Sequence, residues 1–153
     1  MANTYTQLNI HAVFSVKGRE NLLSKTVRDE LFPYIAGIVK SFNNFPLAVN
    51  GYKDHVHLFF ELSPSLSVSD VLEKVKSNSS KWINDKKLMP GKFSWQAGYA
   101  AFSYSRSQRA NVIQYIVNQE QHHKNTTFRE EYLKFLEMFK LDVDLRYLFE
   151  FYG

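Results

Sequence analysis

Residues 54–62, DHVHLFFEL, constrain the fold of this chain more than any other segment. Its alternate apolar positions are Val56, Leu58 and Phe60. Because successive side chains of a strand point to opposite faces of a sheet, His55 and His57 share the other face. The segment therefore predicts a strand that is anchored by one face and presents two imidazoles on the other. Such a pair suits one metal ion, although the spacing also fits two surface histidines on a half-exposed sheet.

Other segments supply the remaining elements of the predicted fold. Runs rich in β-branched and aromatic residues predict further strands at 4–16, 45–52 and 98–105. Apolar residues at helical spacing predict helices over 25–42, 67–85, 107–123 and 126–140. Ser24 and Ser107 are candidate N-caps, and Thr127 with Glu130 predicts a capping box.

Two local signals refine these elements. Pro33 lies inside the first helical pattern and predicts a kink or a later start. Asn50-Gly51 is a strong tight-turn dipeptide and predicts a hairpin, with residues 52–54 as a longer alternative connection. The tail, residues 141–153, has no clear assignment.

The order of the elements predicts an α+β fold. Strand, helix, strand, strand, helix, strand is the β-α-β-β-α-β order of a ferredoxin-like sandwich. A tyrosine-bearing helix and a tail helix are added at the C-terminus. We find no linker or repeat in the 153 residues, which predicts a single domain over residues 1–153.

Composition excludes several classes of site and partner. The chain has no cysteine, which rules out disulfides and thiolate zinc sites. It shows neither a signal-peptide pattern nor an apolar run near the ~20 residues needed to span a bilayer. We therefore expect a soluble, cytoplasmic protein without a membrane partner. A net charge of +4 mildly favours a polyanionic partner.

A second group of polar side chains lies on the third predicted helix. Tyr115 and Gln119 are four residues apart and share a helix face, and His122 lies three residues further on. A phenol has a pKa near ~10 and is a poor nucleophile at neutral pH. A nearby divalent cation would polarise a phosphate for attack by such a phenol. The same pattern also fits an amphipathic helix with one interfacial tyrosine and one solvated glutamine.

Together these segments resemble the HUH-type tyrosine transposases of the insertion-sequence 200/605 family, including the relatives associated with repetitive extragenic palindromes. The resemblance covers nearly the whole chain and rests on four stretches: DHVHLFFEL, SWQAGYAAFSYS, VIQYIVNQEQHH and TTFREEYLKFL. It implies a ferredoxin-like fold, His55, His57 and Gln119 as ligands of Mg²⁺ or Mn²⁺, and Tyr115 as the nucleophile. It also implies attack on a DNA phosphate, a 5′-phosphotyrosine intermediate, and strand rejoining by a 3′-hydroxyl.

The resemblance also implies partners: single-stranded DNA with hairpin ends, and a second copy of the chain in a homodimer. Basic and aromatic residues that could track phosphates or stack bases are Lys81, Lys86, Lys87, Trp95, Arg106 and Arg109. We expect Asp54 to orient an imidazole and His122 to contact DNA, the metal or the last helix carbonyls. We interpret His11 as structural.

Two other functions are compatible with parts of the sequence. A domesticated DNA-hairpin binding protein would keep recognition and lose strand transfer, although all four candidate catalytic positions are present. A ferredoxin-like RNA-binding module would need an RNP-type aromatic motif, and the strands contain no clean match. Histidine-triad hydrolases would need a third histidine where Phe59 stands.

Overall fold

The computed structural model describes residues 4–140. The strands are β1 (Asn9–Ser15), β2 (Phe45–Gly51), β3 (His55–Glu61) and β4 (Ala100–Tyr104). The helices are α1 (Lys25–Ser41), α2 (Val68–Lys86), α3 (Arg109–Val117), α4 (Gln119–His122) and α5 (Phe128–Met138), with short 3₁₀ turns at Lys17–Arg19 and Arg106–Gln108. The predicted tail, 141–153, lies outside the described residues. Within the described part of the chain, no helix is long and apolar enough to span a membrane.

The four strands form one antiparallel sheet in the order β2-β3-β1-β4. This order, with α1 and α2 as the connecting helices, confirms the ferredoxin-like prediction. The two central strands, β1 and β3, pair in a register that sets Val13 opposite His57 and Ser15 opposite His55. The histidine strand is therefore central in the sheet, with a neighbour on each side.

Each face of the sheet is covered by a different pair of helices. On one face, α1 and α2 pack over the main core, to which β3 contributes Val56, Leu58 and Phe60. On the other face, α3 packs against Phe59, and α5 packs against Val13 and the inner side of β4. The face that carries His55 and His57 is thus covered, and both side chains are 0% exposed. The interpretation of His55 and His57 as surface histidines on a half-exposed sheet is wrong, because α3 to α5 cover this face of the sheet.

Two of the predicted caps hold, at Ser24 and Thr127, one fails, at Ser107, and Ser67 makes a cap that was not predicted. Ser24 accepts a hydrogen bond from the Val27 amide, Ser67 forms a capping box that opens α2, and Thr127 accepts from the Glu130 amide. At the third helix, Ser105 rather than Ser107 makes the cap, through a 3₁₀ turn that precedes α3.

Proline does not divide α1. The helix is continuous from Lys25 to Ser41 with Pro33 inside it, so a later start is wrong.

The prediction of a tight turn at Asn50-Gly51 is also wrong. β2 runs through Gly51, which pairs with Val56, and residues 52–54 make the longer connection. Gly51 is needed for a different reason: a Cβ there would lie 2.2 Å from the His55 carbonyl oxygen. The glycine allows the two strands to approach closely just before the first histidine.

Asn50 explains why the helix expected over 107–123 ends early. Its side-chain amide donates to the carbonyl oxygens of Ile116 (2.9 Å) and Val117 (3.1 Å). These are end carbonyls of α3, which need partners outside the helix. The chain breaks at Asn118 and resumes as α4, so Tyr115 and Gln119 lie on two consecutive short helices.

Candidate active site

The two histidines of β3 point into a buried pocket that α3, α4 and α5 close. A carboxylate that the sequence interpretation did not single out lies at its centre. Oε1 of Glu131, on α5, is 3.0 Å from Nε2 of His57 and 3.4 Å from Nε2 of His55. The amide oxygen of Gln119 lies 3.3 Å from the same nitrogen of His55. Two imidazole nitrogens and two side-chain oxygens therefore converge on one small volume.

These separations fit donor atoms that share one metal ion. Ligand atoms at 2.0–2.2 Å from an ion lie about 3.0 Å apart along the edges of an octahedron and about 3.4 Å apart along those of a tetrahedron. The His55, His57 and Glu131 distances fall in that interval, and the three donor atoms form a group able to hold a metal. Nitrogen and carboxylate donors in a buried site are a suitable set for a divalent cation.

Both imidazoles are held by a second residue through their other nitrogen. Asp54 Oδ1 lies 2.7 Å from Nδ1 of His55. His11 Nε2 lies 2.8 Å from Nδ1 of His57. Such outer partners fix the ring so that Nε2 would face a bound metal. Asp54 lies where it can orient His55, and His11 has a more specific position than the structural one we expected.

Tyr115 reaches the same carboxylate from α3. Its hydroxyl donates a hydrogen bond to Oε2 of Glu131 and lies 3.5 Å from Nε2 of His122. Its ring packs edge-on against His57, with centroids 5.9 Å apart. Burial and the adjacent Glu131 carboxylate raise the pKa of the Tyr115 phenol, so the hydroxyl is protonated. The candidate nucleophile and the candidate metal ligands thus meet within one chain.

Two further histidines surround Glu131. His122 Nε2 lies 3.1 Å from Oε2, and His123 Nε2 lies 3.4 Å from Oε1. His123 is also 2.9 Å from the Gln119 amide oxygen. Gln119 itself donates from Nε2 to Glu131 Oε2 at 3.1 Å. The carboxylate therefore has polar partners on every side.

The electrostatics of the cluster follow from this crowding. Burial opposes ionisation of Glu131, but His57 and the other imidazoles hold the pKa of this carboxyl far below its usual range. Burial also opposes the charged form of His55, yet the hydrogen bonds to Asp54 and Glu131 raise its pKa to about 9. Burial dominates for His57, whose pKa is lowered. Without a metal, the cluster is an ionised carboxylate beside a protonated His55.

The residues predicted to bind DNA differ in exposure. Lys86, Lys87 and Arg106 are exposed. Lys81 is exposed as well and pairs with Asp85 at 2.6 Å. Arg109 is mostly covered and pairs with Glu61 at 3.1 Å, which leaves it less available to a phosphate.

Trp95 requires a correction. It is 8% exposed, lies in the main core between Phe14 and Phe93, and donates to Ser79 Oγ at 2.9 Å. A ring enclosed in this way cannot stack on a base. Trp82 is half-buried and stacks on Tyr34, with centroids 4.4 Å apart.

Glu131 carried a signal that the sequence interpretation did not use. On a helix, Glu131 shares a face with Phe128 and Phe135, three residues before and four after it. Charged side chains seldom lie fully buried without a partner. A carboxylate on the apolar face of an amphipathic helix therefore indicates a buried partner, and here the partners are imidazoles.

Comparisons with known proteins agree with this fold. One solved structure with the same fold is a protein from Deinococcus radiodurans R1 that has been assigned as a transposase; it is 24% identical, covers 78% of this chain and 95% of that chain, and has a TM-score of 0.63. Another is a REP-associated tyrosine transposase bound to a REP hairpin, 13% identical over 80% of this chain and 73% of that chain, with a TM-score of 0.59. At these identities the likeness shows the fold alone.

The family assignment comes from the sequence itself. No curated protein matches the chain. The family model of IS200-like transposases matches residues 4–119, which include both histidines of β3, Tyr115 and Gln119. The match ends before α5, the helix that supplies Glu131. Since it spans most of the 153 residues, the chain belongs to the IS200-like transposase family.

Proposed function

We propose that this chain is a metal-dependent single-strand DNA transposase with Tyr115 as its nucleophile. The observation that supports this most is the buried cluster in which Glu131 joins the Tyr115 hydroxyl to Nε2 of His55 and His57. A hydroxyl nucleophile beside a set of metal-binding donors is what phosphoryl transfer requires.

The residues that would hold the metal are His55, His57 and Glu131, with the Gln119 amide oxygen beside them. Mg²⁺ or Mn²⁺, the proposed cofactor, would polarise the scissile phosphate and stabilise the charge that develops on it. Asp54 and His11 hold the two imidazoles in orientation.

The first chemical step replaces one phosphodiester bond with another. Oη of Tyr115 forms a bond to phosphorus, and the bond from phosphorus to the 3′-oxygen breaks. The products are a 5′-phosphotyrosine link and a free 3′-hydroxyl. Because the phenol is protonated, its proton must leave during attack, and Oε2 of Glu131 already accepts it in a hydrogen bond. The proton ends on the departing 3′-oxygen.

The second step reverses the first on a different strand end. A 3′-hydroxyl attacks the phosphotyrosine link, a phosphodiester re-forms, and the proton returns to Tyr115. The number of phosphodiester bonds is conserved, so strand transfer consumes no ATP.

We further propose single-stranded DNA with hairpin ends as the substrate. The fold is shared with a transposase that has been solved with a REP hairpin. The exposed basic residues Lys81, Lys86, Lys87 and Arg106 remain our candidates for phosphate contacts. A homodimer stays a prediction, and within this one chain His55, His57, Glu131 and Tyr115 lie together.

The test is denaturing gel electrophoresis of the protein with end-labelled single-stranded DNA from the flanks of its own gene. Reactions contain Mg²⁺, Mn²⁺ or chelator. We compare wild type with Tyr115→Phe and with Tyr5→Phe, a control at a tyrosine that is 95% exposed. We expect a covalent, metal-dependent band that only Tyr115→Phe abolishes.

Other outcomes decide against this mechanism in different ways. An adduct that persists in Tyr115→Phe would assign the nucleophile to another residue. An adduct that forms in chelator would remove the metal from the reaction. Tight hairpin binding in a native gel without any adduct would favour the domesticated binding protein.

A further inference from the structure

A cavity of about 370 Å³ opens from the active site between α3 and α5. One wall is formed by Gln108, Asn111 and Tyr115, which are three and four residues apart and so share one helix face. The facing wall follows α5 from Glu131 through Lys134 to Met138. The hydroxyl of Tyr115 and the carboxylate of Glu131 lie at its inner end, where they meet. The cavity is therefore an approach to the nucleophile from outside.

Aromatic rings line the inner part of this cavity. Tyr104, from the end of β4, and Phe135, from α5, both contribute. Phe135 is fixed by stacking on Phe102, with centroids 5.2 Å apart and planes 19° apart. Rings that are held in place favour stacking of a flat partner, and every nucleobase offers such a face.

Polar groups lie nearer the mouth. Asn111 and Lys134 are both exposed. Within residues 4–140, the Asn111 amide makes no hydrogen bond and the Lys134 ammonium makes no ion pair. An amide offers a donor and an acceptor together, which suits the edge of a base. An ammonium suits a phosphate.

We propose that this cavity takes the base of one of the two nucleosides that flank the scissile phosphate, with Asn111 hydrogen-bonded to the edge of that base. The inference rests on the proposed function. The reacting phosphorus must come within about 3–3.5 Å of Tyr115 Oη, so the flanking nucleosides must lie close to the same hydroxyl. The cavity lies on that hydroxyl and its volume is in the range of small-ligand pockets.

The assignment also separates two kinds of contact. Lys134 would hold a neighbouring phosphate irrespective of sequence, whereas Asn111 would discriminate between bases. The chain would then read one base beside the cleavage position directly through protein side chains.

The experiment uses the wild-type adduct assay with oligonucleotides that carry an abasic site on either side of the cleavage position. A second series places each of the four bases at those positions. The variants are Asn111→Ala and Lys134→Ala. The matched control is Gln114→Ala, an exposed amide on the same helix that does not line the cavity.

We expect the abasic site at one of the two positions to slow adduct formation by at least about tenfold, the loss of one stacked base. Asn111→Ala should flatten the base preference at that same position. Lys134→Ala should slow all four substrates alike, and Gln114→Ala should match wild type. Equal rates with an abasic site at either position would overturn the inference, as would an unchanged base preference in Asn111→Ala.

A binding arm separates failure of the inference from failure of the proposed function. If wild type forms no adduct on intact DNA, the proposed function fails. The cavity is then decided by the affinity of Tyr115→Phe protein for intact oligonucleotides and for a series that carries one abasic site at each position in turn. The inference is supported if one abasic oligonucleotide binds more weakly than intact DNA and if Asn111→Ala removes that difference in affinity. Equal affinities for intact and abasic oligonucleotides would refute it.

Discussion

Replacing Glu131 with glutamine is the sharpest test of how the active site is built. The substitution keeps the shape of the side chain and removes the charge that lies between His55, His57 and Tyr115. The matched control is Glu130→Gln. Glu130 is the preceding residue of the same helix and is exposed, and among residues 4–140 its hydrogen bonds with side chains are only to Thr127.

The expected loss of stability without metal follows from the buried ion pair. Removing one partner of such a pair costs about 3–5 kcal/mol, and the loss here should lie toward the lower end because Asp54 still contacts His55. For a chain of 153 residues, each kcal/mol moves the Tm by about 2–4 °C. In chelator, Glu131→Gln should therefore melt about 6–20 °C below wild type. Glu130→Gln should melt close to wild type.

The loss in chelator should also depend on pH, with a sign fixed by His55. The pKa of His55 is raised to about 9, in part by Glu131. A raised pKa of a base contributes stability that is fully present below the unfolded pKa near 6.5 and is lost as pH rises through 9. The Tm difference between wild type and Glu131→Gln should therefore be larger at pH 6 than at pH 9.5.

Metal binding supplies the second readout. An ion that binds only the folded state stabilises it by about 2.7 kcal/mol at a hundred times its Kd. Wild type should gain this in Mn²⁺, while Glu131→Gln, which lacks the charged oxygen donor, should gain little. Calorimetric titration and the Tm measured with and without Mn²⁺ would show the difference. If Glu131→Gln matched Glu130→Gln both in Mn²⁺ affinity and in its Tm in chelator, the central position that we give this carboxylate would be refuted.

Three further changes test the surroundings of the site. His11→Phe removes the partner of His57 Nδ1; Mn²⁺ affinity in a calorimetric titration should fall about 10–100-fold, whereas unchanged affinity would return His11 to a packing role. Gly51→Ala places a Cβ 2.2 Å from the His55 carbonyl oxygen. Denaturant unfolding should therefore show a loss of more than about 1 kcal/mol in the free energy of unfolding. A variant as stable as wild type would show that β2 and β3 can move apart to make room for the methyl group. Trp95→Ala should cost about 3–5 kcal/mol in the same unfolding assay, and a stable variant with weakened DNA binding would restore Trp95 to the DNA surface.

The sequence predicted the framework because the framework follows from local patterns. Alternation placed the apolar residues of β3 in the core, and helical spacing located α1, α2 and α5. The error at Asn50-Gly51 has a tertiary cause. The dipeptide has the chemistry of a tight turn, but Asn50 binds the end of α3, and Gly51 makes room for a strand carbonyl. The α3 carbonyls lie 66 and 67 residues from Asn50, and the approach of Gly51 to the His55 carbonyl depends on how β2 pairs with β3, so no local rule could give this result.

Exposure was harder to predict than secondary structure. Trp95 lies in a basic, loop-rich part of the chain, where a tryptophan favours a DNA-binding interpretation. Its actual position depends on an isolated bridge to Val16, which pulls the segment against the core. The burial of His55 and His57 depends in the same way on where α3 to α5 cross the sheet.

The charges of the cluster give an independent argument for a divalent ion. Asp54 and Glu131 are two carboxylates that contact His55, one on each ring nitrogen. Without metal, a proton on His55 offsets only one of their negative charges. Metal ligands bind in the deprotonated form, so an ion that enters displaces that proton. A divalent cation with two neutral imidazoles would then balance both carboxylates, and the cluster would become neutral. Neutrality matters here because an unpaired buried charge is costly. Since α5 contributes one of the two charges, the helix beyond the family match is what completes this balance.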